Sequence, residues 1–152
     1  MAGQENKYSF IFWIGRNISK LEMTFVLAFM LGMMFKMAGF GPFDLFIGFG
    51  LTFLAIVYFI YAFVPVVESE FINIILRKVM AISWAMVVVG IMFFYLSFPG
   101  FANQLMAGML SLTLSFVVLL ISGLRTGHWV VKSELIRSTI ILLVGFYIIV
   151  SI

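Results

Sequence analysis

Residues 79–98 read VMAISWAMVVVGIMFFYLSF, twenty positions without a charged side chain. Arg77-Lys78 stands directly before them and Pro99-Gly100 directly after. At about 1.5 Å per residue, a helix of this length matches the roughly 30 Å hydrocarbon layer of a bilayer. The apolar positions run continuously instead of alternating with period two, which argues against strands and against a membrane barrel. Four further stretches read the same way, at 21–40, 45–64, 105–124 and 135–152, the last being the shortest. The expected fold is an all-α integral membrane protein with five transmembrane helices.

Composition supports that class. Charged residues make up 10% of the 152 positions and hydrophobic ones 64%, whereas soluble domains carry about 25% charge. Mean hydropathy is +1.24. The net charge of +3 does not point to nucleic acid, because the basic residues flank apolar spans and form no open patch. Cysteine is absent, which excludes disulfides, iron–sulfur clusters and thiolate metal sites. His128 is the sole histidine and has no carboxylate or thiol nearby in sequence, so no metal site is expected. Residues 8–14 are apolar but too few to span, and no small-residue cleavage site follows, so no cleaved signal peptide is expected.

The basic residues set an expected orientation. Lys7, Arg16, Lys20, Arg77, Lys78, Arg125, Lys132 and Arg137 fall on one side of the five spans, and only Lys36 on the other. By the positive-inside rule the N-terminus is expected to be cytoplasmic and the C-terminus to lie on the far side of the membrane. Trp13, Arg16, Lys20, Arg77, Lys78, Arg125, Trp129, Lys132 and Arg137 read as interfacial anchors. Residues 10–13, between Lys7 and Arg16, suit a short interfacial helix. Ser69 and Glu70 suit the start of a long helix from Phe71, and 129–137 extends the fifth helix in the same way. Asn103 and Gln104 read as caps of the fourth span.

An offset of 58 residues brings out an internal repeat. Lys20 meets Lys78, Gly32 meets Gly90, Met34-Phe35 meets Met92-Phe93, and Phe40 meets Phe98. Phe43 meets Phe101, Gly50 meets Gly108, and Leu54 meets Leu112. Two spans separate the copies, so the repeat is parallel, with its axis along the membrane normal. Residues 1–152 thus read as one membrane domain: a cytoplasmic interfacial segment 1–20, hairpin repeats 21–64 and 79–124, and a fifth span 135–152. Val144-Gly145 echoes Val89-Gly90 and hints at half of a third copy.

Few residues are candidates for chemistry. Lys36 is an ionisable group inside a span, a functional hypothesis by default, and Asp44 lies just past the turn where it can pair with it. Three readings compete for Lys36: snorkelling to headgroups, contact with a partner subunit, and ion or proton handling. Glu22 is explained by the helix dipole and by surface pairing with Lys20. Ala107, Ser111 and Ser115 on the fourth span, and Ala81 with Ala85 on the third, have the spacing that lets helices pack closely. No nucleophile–base pair, phosphate loop or carboxylate dyad is present, so neither an enzyme nor a cofactor is expected.

Leu31-Gly32-Met33-Met34-Phe35-Lys36, the Gly41-Pro42 turn, Gly50-Leu51 and the exit Phe59-Ile60-Tyr61-Ala62-Phe63-Val64-Pro65 carry a family resemblance. They resemble the transmembrane hairpin of GldL, the inner-membrane motor protein of gliding motility and type IX secretion in Bacteroidota. The resemblance implies kinship of hairpin design and of source lineage, with Lys36 at the family's motor lysine. The motif glutamate falls on Leu54 and the exit glutamate on Val64, and three spans stand where that family has a cytoplasmic tail. Proton-driven motor activity is therefore not implied for this chain.

The functional expectation is a non-enzymatic inner-membrane protein, a structural or accessory subunit of a larger membrane complex or a homo-oligomer. Its partners would be membrane lipids and other membrane subunits or further copies of itself, not nucleic acid. The alternative is a small oligomeric channel or transporter, needing several copies to line a pathway.

Overall fold

The computed structural model describes residues 2–39, 41, 43–65, 71–126 and 132–151, with side chains described from residue 10 onward except at 72, 73, 122–126 and 132. Five helices occupy these residues: α1 Ala2–Met37, α2 Phe43–Tyr61, α3 Phe71–Tyr95, α4 Phe101–Thr126 and α5 Lys132–Val150. Each is long and apolar enough to cross a membrane, and no strand occurs among the described residues. The expected Ser69–Glu70 cap, Phe40, and the loop carrying His128 and Trp129 lie outside the described residues.

Two elements differ from expectation. α1 is one unbroken helix of 36 residues, where the sequence reading separates an interfacial segment 1–20 from the first span. The reason is packing: Ile14 and Ile18 are buried, and Gly15 sits directly against Val64 beyond the end of α2. The early apolar run is thus the first turns of α1 instead of a separate surface helix. α4 begins at Phe101, so Asn103 and Gln104 lie within its first turn and do not cap it.

Helix ends follow local chemistry. α2 tightens into i→i−3 bonds, Phe63 to Ile60 and Val64 to Tyr61, immediately before Pro65, which cannot donate and restricts its predecessor. α3 ends in a Schellman motif: Phe98 N–H bonds Phe93 O, Ser97 N–H bonds Phe94 O, and Ser97 takes φ +57°. The Phe93 and Phe98 rings close the motif at 5.5 Å. At the end of α1 the corresponding left-handed position is Gly39, with φ +70°.

α1 packs on α2 and α3 on α4, as two antiparallel hairpins joined through α2 and α3; α5 lies against α3 and α4. Glycines set the close approaches. A Cβ on Gly32 would meet Ile47 N at 2.9 Å, and one on Gly90 would meet Leu105 N at 2.9 Å. Likewise Gly50 faces Phe29 N at 2.9 Å, and Gly108 faces Val87 N at 2.8 Å. The shared core holds Trp84, Ile47, Met80, Leu105, Leu112 and Ile148, all fully buried. α3 is central, with half of its apolar segment buried, whereas α1 and α5 bury only 11% and 22% of theirs. The two outer helices therefore present apolar faces to their surroundings.

Candidate functional site

The turns after α1 and after α3, with Ala38-Gly39 in the first and 96–100 in the second, lie at one end of the bundle. Near the opposite, basic end four charged side chains meet between helices. Arg77 of α3 pairs with Glu134 of α5, Nε to Oε1 at 2.7 Å. Its Nη2 also donates to Tyr61 Oη at 2.6 Å, and Tyr61 Oη donates to Glu134 Oε1 at 3.1 Å. Arg137 of α5 pairs with Glu22 of α1 through both carboxylate oxygens, with Nη2 to Oε2 at 2.8 Å. Glu22 Oε1 is buried and has no aligned hydrogen-bond donor beyond its ion-pair contact with Arg137 Nε.

Trp84 joins the two pairs. Its ring stacks on Tyr61 at 6.2 Å and lies 5.4 Å from Tyr58, while Arg137 sits over it at 5.2 Å. Its indole N–H donates to Ser138 Oγ at 2.9 Å, satisfying a polar atom in a fully buried side chain. Glu134 is 3% exposed, so its charge is tolerable only because Arg77 and Tyr61 answer it. Glu134 and Arg137 are one turn apart on α5, and each meets an opposite charge from a different hairpin. α5 is thereby fixed in rotation and in height against both hairpins.

These positions correct the sequence reading. Arg77 and Arg137, read from the sequence as interfacial anchors, are members of partly buried ion pairs, because the faces of α3 and α5 that carry them turn inward. Glu22 is not a surface partner of Lys20; it reaches across to α5. Glu134 carries no signal in a reading that weighs span ends only. Trp13 stacks on Phe10 at 6.4 Å and is exposed, as are Arg16, Lys20 and Lys78. The side chains of Arg125, Trp129 and Lys132 lie outside the described residues.

The hairpin pair Lys36 and Asp44 does not form. Both are exposed, and the Lys36 ammonium lies 5.5 Å from the Phe43 ring centre instead of on Asp44. The small-residue sites are partly intramolecular. Ala81 and Ala85 are buried, Ser111 Oγ lies 2.8 Å from Ser83 Oγ across α3 and α4, and Ser115 is buried. Ala107 is exposed; its neighbour Gly108 makes the close approach.

Between α1 and α5 an open groove of about 610 Å³ runs over a floor of α2 and α3. Ser19, Glu22, Tyr58, Ser133 and Arg137 gather at its basic end, and the remaining lining side chains are apolar. Among the described residues no three His, Cys, Asp or Glu side chains converge as metal ligands would. Comparison of the chain with protein-family profiles, curated proteins and solved structures finds no match.

Proposed function

We propose that this chain is a non-enzymatic integral protein of a bacterial inner membrane, serving as a structural or accessory subunit of a larger membrane complex or of a homo-oligomer. One observation carries the reading: four charged groups that meet between the helices, Arg77 with Glu134 and Arg137 with Glu22, form ion pairs that clamp α5 to both hairpins. Charge committed to holding helices together supports a scaffold over a carrier, whose ionisable groups must change partners. The apolar outer faces of α1 and α5 supply surface for lipid and for neighbouring subunits. The likeness of 31–65 to the GldL hairpin fits a part that works within an assembly.

In this reading the N-terminus is cytoplasmic and the C-terminus periplasmic, and Lys36 and Asp44 sit at the periplasmic turns, exposed and free to meet a partner. The two hairpins are copies of one parallel repeat. Support comes from helix boundaries 58 residues apart, with α1 and α3 ending at Met37 and Tyr95 and α2 and α4 starting at Phe43 and Phe101. The reciprocal approaches of Gly32 to Ile47 and Gly90 to Leu105 keep the same offset. α5 stands outside the repeat.

Affinity purification from native membranes in mild detergent tests the proposal. A stoichiometric membrane partner or a defined homo-oligomer is expected, lost or weakened in Lys36→Met. A solitary monodisperse monomer overturns it. The second reading, a small oligomeric channel or transporter, draws on the Glu22–Arg137 pair bordering an open groove. Solute flux in reconstituted vesicles, abolished by Glu22→Gln, would establish that reading instead.

A further inference from the structure

The groove between α1 and α5 is bounded by one helical stripe on each side. Ser19, Met23 and Val26 line it from α1; Ser133, Arg137, Ile140 and Val144 line it from α5. Its floor is core: Leu51, Leu54, Val88 and Ile91 are each under 7% exposed. Among the described residues the backbones of the two walls stand apart, and the Glu22–Arg137 pair bridges them. That ion pair closes the groove at its basic end.

Size and polarity identify the occupant. Its volume of about 610 Å³ lies within the roughly 300–1,000 Å³ of small-molecule sites. Ser19 to Phe29 gives it a length of about 15 Å at the helical rise. Polar groups lie only at one end, so the occupant is an amphiphile aligned with the bundle axis, head toward the basic end. Arg16 lies three residues before Ser19, on the same face of α1, and is exposed. Arg137 uses two of its five guanidinium N–H groups on Glu22. The charge at this mouth is positive, complementary to a phosphodiester.

In the membrane setting proposed above, we infer that the α1–α5 groove is a binding site for one glycerophospholipid, with an acyl chain along the groove and its phosphate against Arg16, Ser19 and Ser133. Such a lipid differs from the mobile shell around any membrane protein, because one side of its chain rests on buried core residues of two other helices.

Purification in detergent followed by native mass spectrometry tests this, after incorporation into bilayers of phosphatidylethanolamine and phosphatidylglycerol. One phospholipid retained per chain is expected. The groove-filling pair Val26→Trp with Ile140→Trp should lower retention at least five-fold, while the outward pair Leu27→Trp with Leu143→Trp leaves it unchanged. Arg16→Gln should lower phospholipid retention but not that of diacylglycerol, which lacks the phosphate. Equal retention in filled and outward-substituted chains overturns the inference, as does a wild-type chain carrying a second protein in place of lipid. Should the filled pair fail to fold, photolabelling of wild type by a phospholipid with a diazirine in its acyl chain decides. Label concentrated on the groove stripes of α1 and α5 supports the site, and label spread evenly over all five helices overturns it. Carbonate washing of membranes separates the two levels. A chain released by carbonate overturns the membrane reading itself, and a retained chain without bound lipid overturns only the groove site.

Discussion

Arg137 and Glu22, 115 positions apart in sequence, meet side to side across the bundle, with two guanidinium nitrogens facing the two carboxylate oxygens. They link α1 to α5 at the basic end of the groove. Breaking a buried pair by removing one partner strands the other charge, at a cost of about 3–5 kcal/mol. Glu22→Gln and Arg137→Met should each lower stability by an amount of that order, and the double variant by less than the sum. Unfolding in detergent with a double-mutant cycle measures the coupling. An additive cycle would mean that the pair does not act as a unit.

Tyr61 bridges the second pair, accepting from Arg77 and donating to Glu134. Tyr61→Phe keeps the ring against Trp84 and removes only the hydroxyl. Hydrogen bonds to charged groups contribute about 1.5–3 kcal/mol, so a loss in that range is expected. Glu134→Gln should cost more, because it removes the buried carboxylate charge that Arg77 Nε and Tyr61 Oη both engage. If Tyr61→Phe is as stable as wild type, the hydroxyl is not part of the clamp.

The hairpins were legible in the chain and the clamp was not. Long apolar runs with few charges, ending at Gly-Pro and Pro-Gly, force helices and turns wherever the chain folds, and the shared glycines mark close approach in each hairpin. The inward face of such a helix is not legible, because a span apolar all round has no amphipathic stripe to show which side packs. Arg77 and Arg137 stand at span ends, where topology alone accounts for a basic residue. The available signal was Trp84 in the middle of an apolar run, with an N–H that needs an acceptor. Glu134 and Arg137, one turn apart with opposite charge, were the other.

Ser97 occupies the left-handed position that closes α3, at φ +57°. Left-handed backbone costs a residue with a Cβ about 1 kcal/mol that glycine does not incur. Ser97→Gly should therefore stabilise the protein by up to about 1 kcal/mol, partly offset by the greater freedom of glycine when unfolded. A rise in detergent melting temperature checks it. Gly39→Ala, at φ +70° with open space around it, should have the opposite sign.

Absence of cysteine makes the orientation directly testable with single introduced thiols. Gly41→Cys lies at the hairpin-turn end and Pro65→Cys at the basic end, both exposed. An impermeant thiol reagent should label Gly41→Cys in cells whose inner membrane is intact, and Pro65→Cys only after that membrane is opened. The reverse pattern would invert the topology and place Lys36 on the cytoplasmic side.

If the hairpins are copies, equivalent glycines must respond alike. A Cβ at Gly32 or Gly90 would press on the backbone of the facing helix at under 3 Å, and the same holds at Gly50 and Gly108. Backbone cannot step aside as a flexible side chain can, so Gly→Ala at these four positions should destabilise by about 1–3 kcal/mol through overpacking. Gly48 supplies the control, because its nearest neighbour is the Leu96 side chain at 3.6 Å. There alanine adds helix propensity without a clash, and a gain of up to about 1 kcal/mol is expected. Thermal unfolding of the five variants reads the pattern. Losses matched within each equivalent pair, beside a gain at Gly48, would show one packing design used twice. A large loss at Gly32 with none at Gly90 would show that the shared offset marks sequence likeness without shared packing.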